Sequence, residues 1–243
     1  MSRLDVYLFE NNFFPSRDKA KEAILSGIVC LNGKPCLKPA EKVSSSDKIE
    51  IIGETLKYVS RAGLKLEKAR SLWNIDFKNK VVLDVGASTG GFTDFALQNG
   101  AKKVYAVDVG TNQLHEKLQN NSKVINMQKT DFRIIPKLAD PIDITVCDCS
   151  FISLKLLSAK FAEVVEENKP LITLIKPQFE CGKELAKKFK GVIKDPKIQN
   201  NIVADIISHF ETLGFECKDF AISPILGTAG NKEFLAYFIK KQS

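Results

Sequence analysis

The chain has 243 residues, of which 44% are hydrophobic and 27% are charged. This composition is typical of a globular protein with a sizeable core, and it excludes disordered and fibrous classes. Lysine and arginine outnumber aspartate and glutamate by 36 to 29, so the net charge of +7 favours a polyanionic partner.

The length suits a catalytic domain with a small module attached. We expect a first domain at residues 1–54, a linker at 55–62 and a second domain at 63–243. Arg3, Asp5 and Glu10 interrupt the apolar stretch that a secretory signal would need, and no apolar run is long enough to cross a bilayer. We therefore expect a cytoplasmic protein with no obligatory membrane. The six cysteines show no C-x-x-C spacing, so we expect no metal site.

The first domain is predicted to contain two short helices on a small curved sheet. Arg3 starts the first helix, and Ser16 caps the second, which runs to Ile24. A strand follows at 28–31, Asn32-Gly33 predicts a hairpin turn, and 48–52 alternates like a half-buried strand. The basic residues near the ends of these elements, where phosphates could reach them, are Arg3, Arg17, Lys19, Lys21 and Lys34.

Several motifs occur here in a fixed order over residues 2–53: R-L-D-x-x-L, then S-R-x-x-A-x-x-x-I-x-x-G-x-V, then N-G-K and D-x-I. Together they resemble the S4 RNA-binding domain. The resemblance implies that the basic residues named above contact RNA, and we add Arg61 in the segment that follows.

The second domain alternates strands and helices, which predicts a mostly parallel α/β sheet. Its predicted strands are 81–85, 103–107, 124–127, 142–147 and 171–175. The strands lead to Asp108, Asp131, Asp148 and Lys176, and the first strand leads into the small-residue loop 86–93. Open α/β sheets bind ligands at this carboxyl edge, so we expect the site there.

The loop does not match a dinucleotide site, because Ser88 occupies the position of the second glycine of G-x-G-x-x-G and paired glycines follow. S-adenosylmethionine carries no pyrophosphate and suits the loop better. Asp84 could meet its amino-acid end, Asp108 its ribose hydroxyls and Asp131 the adenine amine. The predicted cofactor contacts are Asp84, Gly86, Ala87, Ser88, Gly90, Gly91, Phe92, Asp108, Asp131 and Asp148.

Five segments carry a second resemblance: 58–66, 84–93, 148–153, 175–180 and 223–233. They are similar to the TlyA family of ribosomal RNA 2′-O-methyltransferases, also called haemolysins, whose core is similar to the FtsJ/RrmJ methyltransferases. This resemblance implies a Rossmann-like class I methyltransferase sheet, mostly parallel with an antiparallel last strand, behind a small α+β S4-like domain. It also implies a Lys-Asp-Lys-Glu tetrad at Lys65, Asp148, Lys176 and Glu233.

A ribose hydroxyl needs a base to remove its proton during methyl transfer. By the resemblance, Lys176 is that base, Asp148 and Glu233 orient it, and Lys65 adds positive charge that favours its neutral form. The implied substrate is a cytidine of ribosomal RNA. Members of this family that also modify the small subunit tend to have longer termini, whereas this chain begins near the S4 pattern and stops soon after its last strand, so the resemblance implies the large subunit alone.

Other functions stay open at this point. Base-directed amino methylation usually has an Asn/Asp-Pro-Pro-aromatic run, which is absent after Asp148, and carbon-5 methylation would need an activated Cys147 or Cys149. A membrane-active cytolysin could use the basic segment 183–190, although a solvated lid or an RNA contact suits that segment better. A non-catalytic RNA-binding protein is the remaining alternative.

Overall fold

A computed structural model of the chain describes residues 2–14, 16–25, 27–52, 57–227 and 230–242, without the side chains of Lys19, Glu22 and Lys183. The chain divides into two compact units, Met1–Ser60 and Arg61–Ser243. Residues 55 and 56 of the expected linker lie outside the described residues, so the proposed domain limits stay a prediction.

The N-terminal unit contains two helices and short strands. Its elements in chain order are β1 (Ser2–Arg3), α1 (Leu4–Glu10), α2 (Arg17–Leu25), β2 (Val29–Leu31), β3 (Lys34–Pro35), β4 (Lys42–Val43) and β5 (Ile49–Ile51). The predicted hairpin is confirmed, because β2 pairs with β3 across Asn32 and Gly33, which adopt φ values of 51° and 77°.

The prediction of one curved sheet in this unit was wrong. The described strands form a two-stranded β1-β4 sheet and a separate three-stranded sheet in the order β3-β2-β5. Ser2 and Arg3 are extended and pair with Val43 and Lys42 in two short strands that were not assigned from the sequence, so a second sheet is present and α1 begins at Leu4. Both helices bury one apolar face, with Leu4, Leu8 and Ile24 fully buried.

The C-terminal unit is an α/β domain. Its helices are α3 (Ala62–Trp73), α4 (Gly91–Gln98), α5 (Glu116–Gln119), α6 (Ser158–Val164), α7 (Pro177–Glu180), α8 (Gly182–Lys188) and α9 (Pro196–Glu211). Its strands are β6 (Val81–Val85), β7 (Lys103–Val107), β8 (Val124–Met127), β9 (Ile144–Cys147), β10 (Pro170–Ile175), β11 (Phe215–Ile222) and β12 (Phe234–Lys240). Short 3₁₀ turns occupy Phe132–Ile134 and Leu154–Leu156.

The described strands of this unit form one seven-stranded sheet in the order β11-β12-β10-β9-β6-β7-β8. Neighbouring strands from β10 to β8 are parallel, whereas β12 is antiparallel to both β10 and β11. The expected mostly parallel sheet with an antiparallel last strand is therefore confirmed.

The antiparallel direction of β12 brings a distant carboxylate to the site. Phe234, the first residue of β12, pairs with Ile175, the last residue of β10. Glu233 and Lys176, which adjoin these two residues, therefore meet the sheet at the same edge. The parallel strands β9 and β6 end at this edge as well, where Asp148 and Gly86 follow them.

Candidate active site

Four charged residues form one cluster at this edge. Lys65 Nζ donates hydrogen bonds to Asp148 Oδ2 at 2.9 Å and to Glu233 Oε2 at 2.7 Å. Lys176 Nζ lies 2.7 Å from Asp148 Oδ1. Lys65, Lys176 and Glu233 are each exposed by 7% or less. The structure thus brings together the four residues of the predicted tetrad, with Asp148 between the two lysines.

The pairing inside the tetrad differs from the arrangement that the resemblance implied. Glu233 contacts Lys65, so it connects to Lys176 through Lys65 and Asp148 and does not orient Lys176 directly. Lys176 Nζ instead donates a hydrogen bond of 2.8 Å to Ser150 Oγ, a residue that sequence reasoning did not select. Asp148 and Ser150 therefore hold the amine of Lys176 from two sides.

Burial and pairing act in opposite directions on these groups. Burial alone would lower the pKa of Lys65, but the negative charges of Asp148 and Glu233 outweigh it, and the pKa lies above its ordinary value. Burial would likewise raise the pKa of Asp148, but Lys176 and Lys65 hold it below its ordinary value. Lys65 is therefore a fixed cation and Asp148 a fixed anion at neutral pH.

A glycine makes room for the carboxylate of Glu233. A Cβ atom added at Gly227 would lie 2.2 Å from Glu233 Oε1 and 2.9 Å from its Cδ. Because Glu233 is buried and bonded to Lys65, its carboxylate cannot simply move aside. Gly227 is thus a positioning residue that sequence reasoning missed. Its position six residues before Glu233 was the feature of the sequence that could have indicated it.

A pocket of about 510 Å³ opens beside the tetrad. Asp148 and Ser150 belong to its wall, which connects it directly to Lys176. Its lining residues are Val85, Gly86, Ser88, Val107, Asp108, Val109, Gln113, Thr130, Asp131, Phe132, Arg133, Asp148, Cys149, Ser150, Phe151, Ile152 and Leu157. The volume is within the range of pockets that hold a small-molecule cofactor.

The loop after β6 fits a ligand that approaches the backbone. Gly86 adopts a φ of 80°, and a Cβ atom there would lie 2.8 Å from Cys149 Sγ and 3.2 Å from the Asp148 carbonyl oxygen. Ser88 also has a positive φ, of 46°, and its N–H donates to Asp108 Oδ2 at 2.8 Å. Asp108 Oδ1 accepts from the N–H of Gly110 at 2.7 Å, so its carboxylate is fixed at the pocket wall.

Asp84 provides a test of the predicted cofactor. Its carboxyl is completely buried, Oδ2 accepts a 2.6 Å hydrogen bond from Thr93 Oγ1, and Oδ1 has no hydrogen-bond partner among the described residues. Burial raises the pKa of Asp84 to about 7. A buried oxygen without a donor is costly. An ammonium group would supply donors and charge, so Asp84 fits the amino-acid end of S-adenosylmethionine.

Asp131 is already engaged in this structure. Its Oδ2 accepts a 2.6 Å hydrogen bond from Arg133 Nη2, and this ion pair holds the pKa of Asp131 below its ordinary value. Both residues line the pocket. Arg133, which sequence reasoning missed, therefore shares this part of the pocket wall with Asp131.

The remaining predicted cofactor residues divide into two groups. Gly86, Ser88, Asp108, Asp131 and Asp148 line the pocket, as stated above. The others are buried and do not line the pocket: Asp84 keeps the unpartnered oxygen described above, and the remaining four act on the shape of the loop, namely Ala87, Gly90, Gly91 and Phe92. For example, a Cβ atom at Gly90 would lie 2.3 Å from Leu118 Cδ1, so this glycine permits close packing of the loop on α5.

Phe151 is the most exposed large apolar side chain described at the pocket. Its exposed fraction is 91%, and it adopts a φ of 65°, a strained conformation for a phenylalanine. The ring lies 5.1 Å from that of Phe179. The sequence pattern carries no signal for this orientation, because it depends on the backbone turn after Ser150.

In the N-terminal unit, two predicted RNA contacts share a buried partner. Arg3 Nε donates to Asp5 Oδ1 at 3.0 Å, and Arg17 Nε donates to Asp5 Oδ2 at 3.0 Å. The hydrogen bond from Arg3 is the main cause that lowers the pKa of Asp5 to about 2, and burial opposes it. Both arginine side chains remain about half exposed. Asp5 therefore fixes the two guanidinium groups at the surface.

The other predicted RNA contacts are less constrained. Lys21 and Lys34 are exposed, and Arg61 is half-buried just before α3 in the C-terminal unit. The side chain of Lys19 lies outside the described residues. Nothing further in the structure distinguishes these lysines from ordinary surface residues.

The strand order, the antiparallel β12 and the pocket at the carboxyl ends of β6, β7 and β9 define a Rossmann-like methyltransferase. Comparison with known families agrees: residues 58–240 match the FtsJ-like methyltransferase family, and residues 2–49 match the S4 domain. The chain belongs to this family of S-adenosylmethionine-dependent methyltransferases, in the TlyA group that carries an N-terminal S4 domain.

Relatives match over nearly the whole chain. YqxC of Bacillus subtilis is 44% identical over 97% of this chain and 84% of its own length. The 23S rRNA (cytidine-2′-O)-methyltransferase TlyA of Campylobacter jejuni is 38% identical over 93% of this chain and 94% of its own. A solved structure from Streptococcus thermophilus with a hemolysin name is 39% identical, with a TM-score of 0.76 over 99% of this chain and 89% of its own.

Two absences can be stated for the described residues. No helix in that part of the chain has both the length and the apolar character needed to cross a membrane. The described histidine, cysteine, aspartate and glutamate side chains do not form a group of three or more that could hold a metal ion.

Proposed function

We propose that this protein methylates the ribose 2′-oxygen of a cytidine in ribosomal RNA, with the large subunit as substrate. The observation that carries the proposal is the contact of the tetrad with the pocket through Asp148 and Ser150. The name of the Campylobacter jejuni relative supports the choice of the cytidine 2′-oxygen. A ribosomal substrate also supports a cytoplasmic location.

The cofactor would bind in the 510 Å³ pocket, held by Gly86, Ser88, Asp108 and Asp131 of its wall, and its amino-acid end would reach the unpartnered oxygen of Asp84, which is buried behind that wall. When bound, S-adenosylmethionine supplies an electrophilic methyl group on a sulfonium. The acceptor hydroxyl is a weak nucleophile and must lose its proton as the new carbon–oxygen bond forms. The tetrad is the group of residues that lies next to the pocket and can move this proton.

Lys176 is the proposed proton acceptor. A neutral amine has two N–H donors and one lone pair, and the described structure offers two acceptors to Lys176 Nζ: Asp148 Oδ1 at 2.7 Å and Ser150 Oγ at 2.8 Å. With the amine held between these two oxygens, the lone pair of its neutral form can accept the proton of the 2′-hydroxyl. Lys65 holds Asp148 and Glu233 in place through its own two hydrogen bonds.

The two predicted domains take different tasks in this proposal. Residues 1–54 hold the RNA through Arg3, Arg17 and neighbouring lysines, and residues 63–243 carry out methyl transfer. Phe151 offers an exposed aromatic face at the pocket. Unstacked RNA bases are commonly held on such faces, so Phe151 suits the base of the acceptor nucleotide.

The test is transfer of labelled methyl from S-adenosylmethionine to ribosomal subunits from a strain that lacks the gene. We expect label on a ribose 2′-oxygen of the 50S subunit, and a loss of at least about a hundredfold in kcat for Lys176→Met. The variant should still bind S-adenosylhomocysteine, since Lys176 does not line the pocket.

Three results would each contradict a part of the proposal. Full methylation by folded Lys176→Met would remove the assigned base. No transfer by the wild type to 50S, 30S or free RNA, despite bound cofactor, would favour a non-catalytic RNA-binding protein. Label on the 30S subunit alone would overturn the choice of the large subunit.

A further inference from the structure

A run of exposed lysines follows the segment that carries Lys176. Lys187, Lys188, Lys190, Lys194 and Lys197 are all exposed. In the described part of the chain, no carboxylate lies within ion-pair distance of any of these five ammonium groups. Five unpaired cations within eleven residues repel one another, and a polyanion would relieve that repulsion. We call residues 182–197 the basic arm.

The basic arm is attached to the core close to the tetrad. Asn231 is 2% exposed, and its side chain donates to the Gly191 carbonyl at 2.8 Å and accepts from the Ile193 N–H at 3.0 Å. Asn231 lies two residues before Glu233. A buried amide that satisfies two backbone groups of the arm holds its second half firmly beside the turn that carries the tetrad glutamate.

Further contacts fix both ends of the arm. Gln199, which is 3% exposed, donates to the Ile193 carbonyl at 2.7 Å and joins the arm to α9. At the other end, α8 begins two residues after α7, and α7 begins directly after Lys176. The arm is therefore tied at both ends to segments that carry Lys176 and Glu233, at the carboxyl edge of the sheet.

The composition of the arm favours RNA over a lipid surface. A helix that lies on a membrane needs a continuous apolar face, but α8 has seven residues and exposes one large apolar side chain, Leu185. Phe189 is half-buried, with Lys188 Nζ 5.6 Å from its ring. The five exposed lysines outnumber the two exposed carboxylates of the arm, Glu184 and Asp195, and this excess of positive charge suits the phosphates of a nucleic acid.

We propose that the basic arm is a second RNA-binding surface, which contacts phosphates of the substrate RNA near the acceptor nucleotide. This inference rests on the proposed function. It gives the methyltransferase unit an RNA-binding surface of its own, in addition to that of the S4 domain. Phosphate contacts carry no sequence information, so the arm contributes affinity and register and does not choose the base.

The experiment compares two triple variants of the full chain. Lys187→Gln/Lys188→Gln/Lys190→Gln removes three charges from the arm. The matched control, Lys78→Gln/Lys102→Gln/Lys123→Gln, removes three exposed charges from positions just before β6, β7 and β8, at the opposite edge of the sheet. The KM for 50S subunits, the kcat and equilibrium binding to the subunits are measured between about 50 and 200 mM KCl.

We expect the arm variant to raise KM by about tenfold to a hundredfold at low salt, with kcat at saturating subunits and S-adenosylhomocysteine affinity unchanged. The slope of log KM against log salt should fall by about one for each lysine that contacts a phosphate. The control variant should match the wild type. If the arm and control variants share the same KM and the same slope, the inference is wrong.

Two other outcomes separate the proposals. If the wild type transfers no methyl, the proposed function fails, and the arm is still judged by the salt dependence of equilibrium binding. If the arm variant instead loses binding to vesicles of phosphatidylglycerol and phosphatidylcholine while its KM for subunits is unchanged, the arm is a membrane contact and the RNA inference is overturned.

Discussion

Thr93 Oγ1 donates a 2.6 Å hydrogen bond to Asp84 Oδ2, deep behind the cofactor pocket, and Asp84 Oδ1 has no partner among the described residues. The carboxyl group is completely buried, and burial raises its pKa from 3.8 to about 7. The protein therefore keeps a partly protonated acid where the proposed ligand carries an ammonium group. This combination makes cofactor binding and stability depend on pH in opposite directions.

Affinity for S-adenosylhomocysteine should rise with pH up to about 7, because the ligand ammonium binds the ionised form of Asp84. It should fall again in more alkaline solution, where the α-amino group of the ligand loses its proton. Asp84→Asn should lower the affinity at neutral pH by at least about tenfold and remove the acid side of this profile. Thr93→Val, which removes a donor to the ionised form, should move the midpoint upward. Titration calorimetry across this pH range is the measurement.

Without cofactor, Asp84 should have the opposite effect on stability. Its pKa in the folded protein is raised, so the folded state binds this proton more tightly than the unfolded chain does. The contribution to the free energy of unfolding is therefore lost as pH rises from 3.8 to about 7. Asp84→Asn should remove this loss of stability between acid and neutral pH. For the binding prediction, an Asp84→Asn variant whose affinity for S-adenosylhomocysteine still rises with pH as in the wild type would show that Asp84 does not contact the ammonium group.

Lys65 should stabilise the fold as well as the tetrad. Lys65→Met leaves Glu233, which is 3% exposed, without its cation, and breaking a buried pair in this way costs about 3–5 kcal/mol. Denaturant unfolding can be followed by the fluorescence of Trp73, the one tryptophan of the sequence, which lies at the end of the same helix. Adding Glu233→Gln should recover part of the loss, because no unpaired charge then remains.

The pH dependence of this effect follows from Asp148. Burial would raise its pKa, but Lys176 and Lys65 outweigh burial and lower the pKa in the folded protein. The stabilising contribution of Asp148 is fully present above pH 3.8, the ordinary pKa of an aspartate, and it is lost as the pH falls through the lower pKa of the folded protein. The difference in unfolding free energy between wild type and Lys65→Met should therefore shrink in acid. A difference that stays constant down to the acid transition would contradict a role of these charges.

The parallel strands were well predicted from the sequence. The bounds of β6, β7 and β8 are those expected, because buried parallel strands are continuous apolar runs that end abruptly in polar residues. Neither β11 nor α9 was assigned. In β11, charged residues such as Glu216, Lys218 and Asp219 interrupt the apolar pattern, since this strand lies at the sheet edge with much of its surface exposed.

The candidate site was predictable only in part. The four tetrad residues were predicted from a family resemblance. Their pairing could not be predicted, because Lys65 and Glu233 are 168 positions apart and meet through the antiparallel β12. Ser150, Arg133 and Asp5 were missed for a similar reason. Each acts through contacts with one or two charged side chains, and the sequence pattern did not reveal those contacts.

Two effects of replacing Gly86 can be measured separately: the clash of an added Cβ atom, and the strain of a non-glycine residue at a positive φ. Gly86→Ala places a Cβ atom 2.8 Å from Cys149 Sγ and 3.1 Å from its Cα, at a φ of 80°. Gly214 has a φ of 83°, and a Cβ atom added there would have nothing within 4 Å, so Gly214→Ala imposes the same strain without the clash. Gly214→Ala should cost about 1–2 kcal/mol of stability and leave kcat unchanged.

Gly86→Ala should cost more stability and also lower cofactor affinity and kcat, because the Asp148–Cys149 backbone must move and Asp148 moves with it. Thermal unfolding and S-adenosylhomocysteine titration of the two variants measure the difference. Equal effects on both proteins would mean that strain alone explains the glycine and that close approach to Cys149 does not matter.

Phe151 should contribute to RNA binding through its ring. Its exposed fraction of 91% and its φ of 65° are both unfavourable in the free protein, and neither is relieved by the contact with Phe179. Phe151→Ala should raise KM for 50S subunits by about tenfold to a hundredfold, the range expected for one stacked base. Phe151→Tyr keeps the aromatic face and should stay close to wild type, whereas Phe151→Leu keeps apolar bulk and should resemble Phe151→Ala. If Phe151→Leu instead matches the wild type, the side chain acts by bulk at the pocket wall and not by stacking.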